Sequence, residues 1–341
     1  MANLAPAVVI GASSGGVTAV LDLMAALPSD FPAIVVVVLH VGSLPSILPE
    51  LISRRGPNRA VHAVHGQRPL PGIIYVAPPD HHLLLSPEAI RLSRGARENY
   101  ARPAIDPLFR TAALGWRERA IGVVLTGALD DGTAGLAAIK QCGGVAIVQH
   151  PATAIEPSMP ASALAHVAVD HCLPVEQIAA VLCDLVVRLP APASASASAS
   201  ASASAAPSEH LLHEQAASEH QQAPQMPDLS AIASPSALTC PECGGGLWEL
   251  KNRQPLRFRC HTGHAFSALS LANVQTRLAD ETMWAGLRSL KEREMLLRRL
   301  AGVAETIGDM VQAQAGYRMA DRVGEQALQL RKLLEQDADD L

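Results

Sequence analysis

Side chains of the types needed for acyl transfer follow three apolar segments of the chain. Ser13 lies in Gly11-Ala12-Ser13-Ser14-Gly15, which fits the G-x-S-x-G pattern of a strand-to-helix turn that exposes a serine hydroxyl. His40 follows a run of Val and Leu, and two adjacent acids, Asp130 and Asp131, lie in the loop after Gly122–Leu125. Serine needs a base at neutral pH, and a carboxylate fixes the tautomer of an imidazole base. A serine, a histidine and an aspartate at three strand ends form a chemically complete set, although spacing alone does not show that they meet.

Apolar runs typical of buried strands alternate with helical segments over residues 1–189. Continuously apolar strands joined by helices predict a doubly wound, mostly parallel α/β sheet of the Rossmann-like type, covered on both faces. Sites in such sheets lie at the carboxyl ends of the strands, where all three residues are expected. The predicted strands are Val8–Ile10, Ile34–His40, Ile73–Ala77, His82–Leu85, Gly122–Leu125 and Val145–Gln149, and the predicted helices are Val17–Ala26, Pro107–Trp116, a segment ending at Gln141, and Val175–Leu189.

Composition narrows the functional class. The chain has 341 residues, a net charge of −5 and 49% hydrophobic residues, which suggests about two domains with an ample core. Mild acidity argues against nucleic acid as a partner, because nucleic-acid binders usually carry a basic patch. No apolar run approaches the roughly 20 residues of a membrane helix, and the N-terminus lacks a signal-like core. We therefore expect a cytoplasmic protein without membrane insertion.

The chain divides into four regions by composition. The α/β region over 1–189 is followed by an alternating Ala-Ser tract and a polar stretch, which predict a disordered linker over 190–238. A Cys/His cluster predicts a small, separate zinc-binding module of the ribbon type over 239–266. Residues 267–341 form a predicted helical region.

The Cys/His cluster has the spacing of a structural metal site. Cys240 and Cys243 form a C-x-x-C pair, and Cys260 and His264 form a second pair, which together suit tetrahedral Zn²⁺. His261 is the alternative fourth ligand. Four protein ligands leave no open position, so the sequence favours a structural ion over a catalytic one. The competing interpretation is a degenerate ribbon with free thiols, which is how we also interpret the scattered Cys142, Cys172 and Cys183.

Leucines at helical spacing characterise the C-terminal region. They predict two helices that pack as a hairpin or dimerise. Docking to a signalling partner is the alternative. The residues concerned are Leu287, Leu290, Leu297 and Leu300 in the first helix, and Val323, Leu328, Leu330 and Leu334 in the second.

Several motifs in order along residues 6–188 resemble the catalytic domain of chemotaxis protein-glutamate methylesterases of the CheB type. Some members of that family carry a similar Cys/His tail. The matching segments are Ile10-Gly11-Ala12-Ser13-Ser14-Gly15-Gly16, Leu39-His40-Val41, Leu70-Pro71-Gly72 with Tyr75-Val76-Ala77-Pro78, Arg102-Pro103-Ala104-Ile105-Asp106, and Leu125-Thr126-Gly127 through Asp131-Gly132.

The resemblance implies a function and a role for each candidate residue. Ser13 would be the nucleophile, His40 the general base and Asp131 its orienting carboxylate, whereas Ser14 and Asp130 would be neighbours. The substrates would be glutamate methyl esters, and also glutamines, on methyl-accepting chemotaxis receptors. The chemotaxis kinase and methyltransferase are further expected partners. No cofactor is expected for catalysis. His82 and Arg102 fall near the substrate cleft of the family, without a catalytic role.

Two features depart from the family pattern. Ala128 stands where the family usually has Met, whose backbone N–H is thought to help stabilise the oxyanion. A backbone donor survives this change. The family also often carries an N-terminal phospho-receiver domain, whereas this sequence begins almost at the catalytic strand, so we expect no regulation by phosphorylation in cis.

Three other interpretations compete with an esterase. The turn at Ser13 also resembles that of short-chain dehydrogenases, which bind nicotinamide cofactors, but those need a Tyr with a Lys four residues later. Tyr75 and Tyr100 are followed at that offset by Pro79 and Ala104. A general α/β-hydrolase has the order Ser, acid, His, which differs from the order here. A catalytically weak signalling scaffold remains the non-enzymatic alternative.

Overall fold

The structure is a computed structural model that divides into two compact units, residues 1–271 and 272–341, which are described separately. The residues described are 5–42, 44–189, 208–219, 229–251 and 254–339.

A seven-stranded parallel sheet forms the centre of the first unit in the part of the chain described. The strands of this region are β1 (Ala7–Ala12), β2 (Ile34–Leu39), β3 (Arg59–His62), β4 (Ile73–Val76), β5 (His82–Leu85), β6 (Ile90–Ser93), β7 (Ala120–Val124), β8 (Val145–Gln149) and β9 (His171–Leu173). Their order in the sheet is β3-β4-β2-β1-β7-β8-β9, and β5 and β6 form a separate antiparallel pair. The central strand β1 and its neighbour β2 are buried along their whole length.

Helices cover both faces of the sheet. They are α1 (Gly16–Ala26), α2 (Leu48–Arg55), α3 (Ile105–Trp116), α4 (Thr133–Gln141), α5 (Ser158–His166) and α6 (Val175–Arg188), with short 3₁₀ turns at Arg117–Arg119 and Pro151–Thr153. Leu23 of α1, Ile52 of α2 and Leu182 of α6 belong to the core of one face. Phe109 of α3 and Leu136 of α4 belong to the core of the other. This two-layered covering confirms the predicted doubly wound α/β fold.

The predicted strands and helices of this region are present with small shifts in their bounds. Five shorter elements were not predicted, namely β3, β6, β9, α2 and α5. β3 and β6 have four residues each and mix exposed polar with buried apolar positions. Neither the length nor the periodicity of such a segment separates it from a loop.

A small antiparallel sheet lies within the first unit, preceded by one helix. Its strands are β10 (Ala233–Thr239), β11 (Gly246–Leu250), β12 (Arg257–Cys260) and β13 (Ala265–Ser267), paired in that order; the helix is α7 (Glu209–Glu219), and a 3₁₀ turn lies at Leu229–Ala231. We refer to residues 233–271 as the Cys/His module. Its core contains buried Leu247, Phe258, Phe266 and Leu271 beside two of the cysteines.

The prediction of a disordered linker over 190–238 is wrong for α7 and β10. Leu211 of α7 is buried in the core of the sheet, and the carboxylate of Glu214 is buried against the guanidinium of Arg257. The prediction of a linker used local composition. A buried ion pair between residues distant in sequence leaves no signature there. The rest of the predicted linker, 190–207 and 220–228, lies outside the described residues.

Two long helices make up the helical C-terminal region, which is as predicted. They are α8 (Ala268–Thr306), which begins in the first unit, and α9 (Met310–Asp339). Leu287 of α8 packs with Ala327 and Leu334 of α9. Leu300 and Leu328, which were expected on the packed face, are exposed. Over the described residues, no helix is long and apolar enough to cross a membrane.

Candidate active site and metal site

The turn after β1 presents the serine. The backbone N–H of Ser13 donates to the carbonyl of Thr126 (2.9 Å), which ties this turn to the loop after β7. Gly15 precedes α1 with φ 73°, a left-handed conformation that glycine adopts without steric cost. The carbonyl of Ser13 accepts from the N–H of Gly16 (2.8 Å), so α1 starts three residues after the serine.

The structure brings Ser13, His40 and Asp131 into one hydrogen-bonded row. Nδ1 of His40 lies 3.1 Å from Oγ of Ser13, and Nε2 lies 2.7 Å from Oδ2 of Asp131. Because a carboxylate accepts, the proton of the neutral imidazole resides on Nε2 and the lone pair of Nδ1 faces the serine. The His40 side chain is 20% exposed and that of Asp131 is 3% exposed, so the base meets solvent while its carboxylate is buried.

The carboxylate of Asp131 is held in its ionised form. Burial by itself raises the pKa of Asp131, but the hydrogen bond and charge of His40 and the N–H donors of Ile105 and Asn99 lower it below its ordinary value. Oδ2 accepts from the backbone N–H of Ile105 (2.6 Å), and Oδ1 accepts from Gly132 (3.0 Å) and from the amide of Asn99 (2.8 Å). Asp131 is thus a fixed negative charge against which a protonated His40 is stabilised.

Sequence reasoning missed Asn99 and Asp106. Nδ2 of Asn99 donates to Asp131 and also to Oδ2 of Asp106 (3.1 Å). Burial and the adjacent charge of Asp131 raise the pKa of Asp106 to about 8, so this carboxyl is largely protonated at neutral pH. Asp106 belongs to a segment that carries the family resemblance, but no spacing rule points to Asn99.

Two backbone donors are available beside the serine. Among the described residues, neither the N–H of Ser14 nor that of Ala128 donates to a protein acceptor. A Cβ at Gly127 would lie 2.8 Å from Cβ of Ser13 and 2.1 Å from Sδ of Met159, so only glycine allows this approach. The loop after β7 therefore brings Gly127, the residue before Ala128, close against Ser13.

Thr126 holds the two catalytic loops together. Its hydroxyl donates to the carbonyl of Ser14 (2.9 Å) and accepts from the N–H of Glu156 (2.8 Å). Its own N–H donates to the side chain of Gln149 (2.8 Å). The sequence indicated Thr126 only as part of a motif. In the structure its buried hydroxyl positions the loops at Ser14 and Glu156.

The neighbouring candidates lie outside the row. Ser14 is exposed, and Asp130 accepts a hydrogen bond from the hydroxyl of Ser267 (2.5 Å) rather than from His40. His82 is buried between the carbonyl of Ala96 and the N–H of Ala104, and burial lowers its pKa. Arg102, also expected near the cleft, pairs with Asp80 (2.6 Å).

The structure also brings together Cys240, Cys243, Cys260 and His264. Their donor atoms all lie within 4.8 Å of one another. The two sulfurs of Cys243 and Cys260 are 3.7 Å apart, and Nδ1 of His264 lies 3.7 Å and 3.6 Å from the sulfurs of Cys240 and Cys260. Zn–S bonds of about 2.3 Å and Zn–N bonds of about 2.0 Å place tetrahedral donors roughly 3.5–3.8 Å apart. The donor set and its spacing fit a tetrahedral zinc ion.

Other interpretations of the cluster fit less well. A disulfide needs sulfurs about 2.0 Å apart, and these cysteines are free. His261, the alternative ligand, accepts a hydrogen bond from the indole of Trp248 (2.8 Å) away from the cluster. Burial raises the pKa of Cys260, but hydrogen bonding to His264 and Cys243 lowers it to about 6, so the thiolate needed for metal binding predominates at neutral pH.

A Ser-His-Asp row at the carboxyl edge of a doubly wound sheet, with free N–H donors beside the serine, is an arrangement typical of serine hydrolases. Residues 8–182 match the family model described as CheB methylesterase, so the chain belongs to that family.

Relatives and a solved structure agree with this assignment. A relative from Leptospira interrogans is 39% identical over 189 residues, which are 54% of this chain and 94% of the relative. A protein-glutamate methylesterase/protein-glutamine glutaminase from Ralstonia nicotianae is 35% identical over 50% of this chain and 46% of its own length. The crystal structure of the Thermotoga maritima CheB methylesterase catalytic domain aligns with a TM-score of 0.51 and 31% identity over 53% of this chain and 98% of that one. The chain is thus similar to carboxylic ester hydrolases across its first half.

Proposed function

We propose that this chain hydrolyses γ-methyl esters of glutamate on chemotaxis receptors by a Ser-His-Asp mechanism. The observation that carries the proposal is the row in which His40 lies 3.1 Å from Oγ of Ser13 and 2.7 Å from Asp131. The names of the relatives support glutamate methyl esters as the substrate class.

Acylation begins at the serine. Oγ of Ser13 attacks the ester carbonyl carbon while its proton passes to Nδ1 of His40. The N–H groups of Ser14 and Ala128 stabilise the oxyanion, at about 3–4 kcal/mol per donor. The imidazolium, stabilised by Asp131, then protonates the leaving oxygen, and methanol departs from the acyl-enzyme.

Deacylation repeats the same proton transfers with water. His40 takes a proton from water, the hydroxide attacks the acyl carbonyl, and the second tetrahedral intermediate collapses to free glutamate and Ser13. An amide passes through the same intermediates with ammonia as the leaving group. We therefore include glutamine deamidation, which the names of the relatives also describe.

An apolar cavity lined by both sequence neighbours of His40 suits a protein substrate. Val17, Val41, Leu44 and Ile47 line this cavity of about 280 Å³ together with Leu39. Leu44 is 77% exposed. We call this surface the apolar rim. It offers an uncharged binding surface for a receptor segment that carries the ester.

We also propose that Cys240, Cys243, Cys260 and His264 hold a structural Zn²⁺. Four protein ligands leave no position for water or substrate, so the ion stabilises the fold of the module and takes no part in ester hydrolysis.

Methanol release from a methylated chemoreceptor tests the esterase. We expect release by the wild type, and a loss of at least about 10⁴-fold in Ser13→Ala with an unchanged melting temperature, because the hydroxyl is the nucleophile. Ser14→Ala, the matched control, should change turnover by no more than about threefold. An inactive Ser14→Ala beside an active Ser13→Ala would overturn the assignment of the nucleophile.

A further inference from the structure

Strand β13 of the Cys/His module lies against the loop that carries Asn99. The N–H of Asn99 donates to the carbonyl of Ala265 (2.8 Å), and the N–H of Ala265 donates to the carbonyl of Arg97 (3.2 Å). The N–H of Ser267 donates to Oδ1 of Asn99 (2.9 Å), and the hydroxyl of Ser270 reaches the same oxygen (3.2 Å). Both the backbone and the side chain of Asn99 are therefore held from the side of the module.

These contacts determine how the amide meets the catalytic acid. Because Oδ1 is taken by donors of the module, the NH₂ group of Asn99 faces Asp131 and Asp106, to which it donates at 2.8 Å and 3.1 Å. A flipped amide would place its NH₂ against the N–H of Ser267 and its oxygen against two carboxyls. Asn99 also has φ 50°, a left-handed conformation that its contact with Ala265 helps to hold.

The module contacts the other flank of the catalytic acid as well. The hydroxyl of Ser267 donates to Asp130, the residue before Asp131 (2.5 Å). Arg259 of β12 donates to the carboxylate of Glu98 (3.1 Å), which also pairs with Arg110 of α3 (2.8 Å), and all three side chains are buried. A buried charge is strongly destabilising without its partner, so these pairs fix where the module can sit.

The cysteines and histidine determine the position of β13 in turn. Cys260 ends β12 and His264 immediately precedes β13, and the N–H of Cys260 donates to the carbonyl of His264 (2.9 Å). Among the described residues, the core cluster around the ligands contains six buried hydrophobic residues, two of them the ligands Cys240 and Cys260. A core of this size depends on a metal or a disulfide to hold its strands together.

We propose that the metal-bound module braces the catalytic acid, an inference that rests on the esterase and the zinc site proposed above. Strand β13 positions Asn99, and Asn99 positions Asp131. Loss of the metal therefore slows ester hydrolysis, although the metal takes no part in the reaction. Asn99 is a positioning residue, because it acts on the reaction through Asp131.

Loss of the metal should lower the rate of ester hydrolysis without abolishing it. The two cores of the catalytic sheet contain no residue of the module, so the sheet retains its own packing when the module loosens. Ile105 and Gly132 continue to donate to Asp131. Removal of a residue that orients a catalytic group costs about 10- to 100-fold, and we expect a fall in kcat of that size with KM unchanged.

The first experiment compares the full chain in zinc-loaded, chelator-stripped and reloaded forms under reducing conditions, with a small activated ester as substrate and zinc measured by mass spectrometry. Stripping should lower kcat about 10- to 100-fold, and reloading should restore it. Cys243→Ser should reproduce the stripped state. Cys183→Ser, which removes a thiol outside the cluster, should keep both zinc and activity. An unchanged kcat in protein shown to have lost its zinc would overturn the proposal.

A double-variant comparison separates the brace from general loosening. Asn99→Ala should retain zinc and lower kcat about as far as stripping lowers that of the wild type. Stripping Asn99→Ala should then cost less than about twofold more, because both changes remove the same interaction. If stripping lowers kcat by the same factor in Asn99→Ala as in the wild type, the module acts by another route and the brace is wrong.

Hydrogen exchange decides the question even without turnover. Removing zinc from the wild type should speed exchange in segments 97–101 and 129–135 as well as in the module, whereas strands β1 and β2 should be unaffected. Acceleration confined to the module would overturn the brace. A zinc-loaded wild type that neither turns over ester nor reacts at Ser13 with a fluorophosphonate would contradict the proposed function, and the exchange result would still decide the coupling.

Discussion

The catalytic sheet and the Cys/His module solve the same problem of placing reactive side chains by different means. In the sheet, two large apolar cores fix neighbouring strands in parallel register, with Ala12 beside Leu39. Ser13 and His40 are the next residues, so packing alone brings them together. In the module, the cluster of six buried hydrophobic residues around the ligands is too small for this, and two of the ligands are part of it. Geometry in the first region follows from burial, and in the second, with the zinc ion proposed above, from coordination.

The sheet region should be intolerant of added volume where its loops converge. In Gly127→Ala, the new Cβ would lie 2.1 Å from Sδ of Met159 and 2.8 Å from Cβ of Ser13, which forces the loop away from the nucleophile. We expect kcat to fall about 100-fold, since a displacement near 1 Å can cost that much. Turnover of a small ester measures the effect. Gly246→Ala in the module, with no atom within 4 Å of the added Cβ, is the control and should stay near wild type. Equal losses in both variants would contradict the contrast between the regions.

Loss of the metal should unfold the strands of the module, whereas the catalytic sheet should stay folded. Chelation under reducing conditions should expose the amides of β11 and β12 to exchange, because the remaining apolar core cannot hold four short strands. We expect protection there to fall at least about 100-fold, while protection in β1 and β2 is retained. Exchange measured by mass spectrometry with and without zinc makes the comparison. If β11 and β12 keep their protection after zinc is lost, the module is stabilised by packing like the sheet, and the contrast fails.

The same contrast explains what the sequence could predict. The fold class was predictable because buried parallel strands leave continuous apolar runs, such as the one before His40. The ends of such strands indicated Ser13, His40 and a neighbouring aspartate as candidates, and the family resemblance selected Asp131. Asn99 was not predictable, because its role depends on a contact with Ser267, 168 positions later. The same holds for α7, whose Glu214 is paired with Arg257. A local sequence pattern indicates which residues are buried, but it does not predict polar contacts between residues that are far apart in the sequence.

Receptor recognition is a smaller effect that tests whether the sheet region also selects its substrate. Leu44 of the apolar rim is 77% exposed, so Leu44→Ser should leave stability unchanged. Burial of this side chain against a receptor segment should make KM for methylated receptor about three- to tenfold higher in the variant. The KM for a small ester should not change. Val187→Ser on α6, 79% exposed in the wild type, is the matched control. An equal rise in KM for both substrates would assign Leu44 to the active site rather than to docking.

The last prediction concerns Asp106, which lies where the sheet meets the module through Asn99. Its pKa is raised from 3.8 to about 8 in the folded protein, so between these values the unfolded chain releases a proton that the folded chain keeps. Asp106 therefore makes stability fall as pH rises across this window, by at most about 1.4 kcal/mol per pH unit. Asp106→Asn removes that proton difference, so its unfolding free energy should fall less steeply than that of the wild type between pH 5 and 7, which denaturant titrations can measure. Identical slopes would mean that Asp106 is ionised in the folded protein. The amide of Asn99 would then have to stabilise two buried negative charges instead of one, and its dependence on the module for orientation would be stronger still.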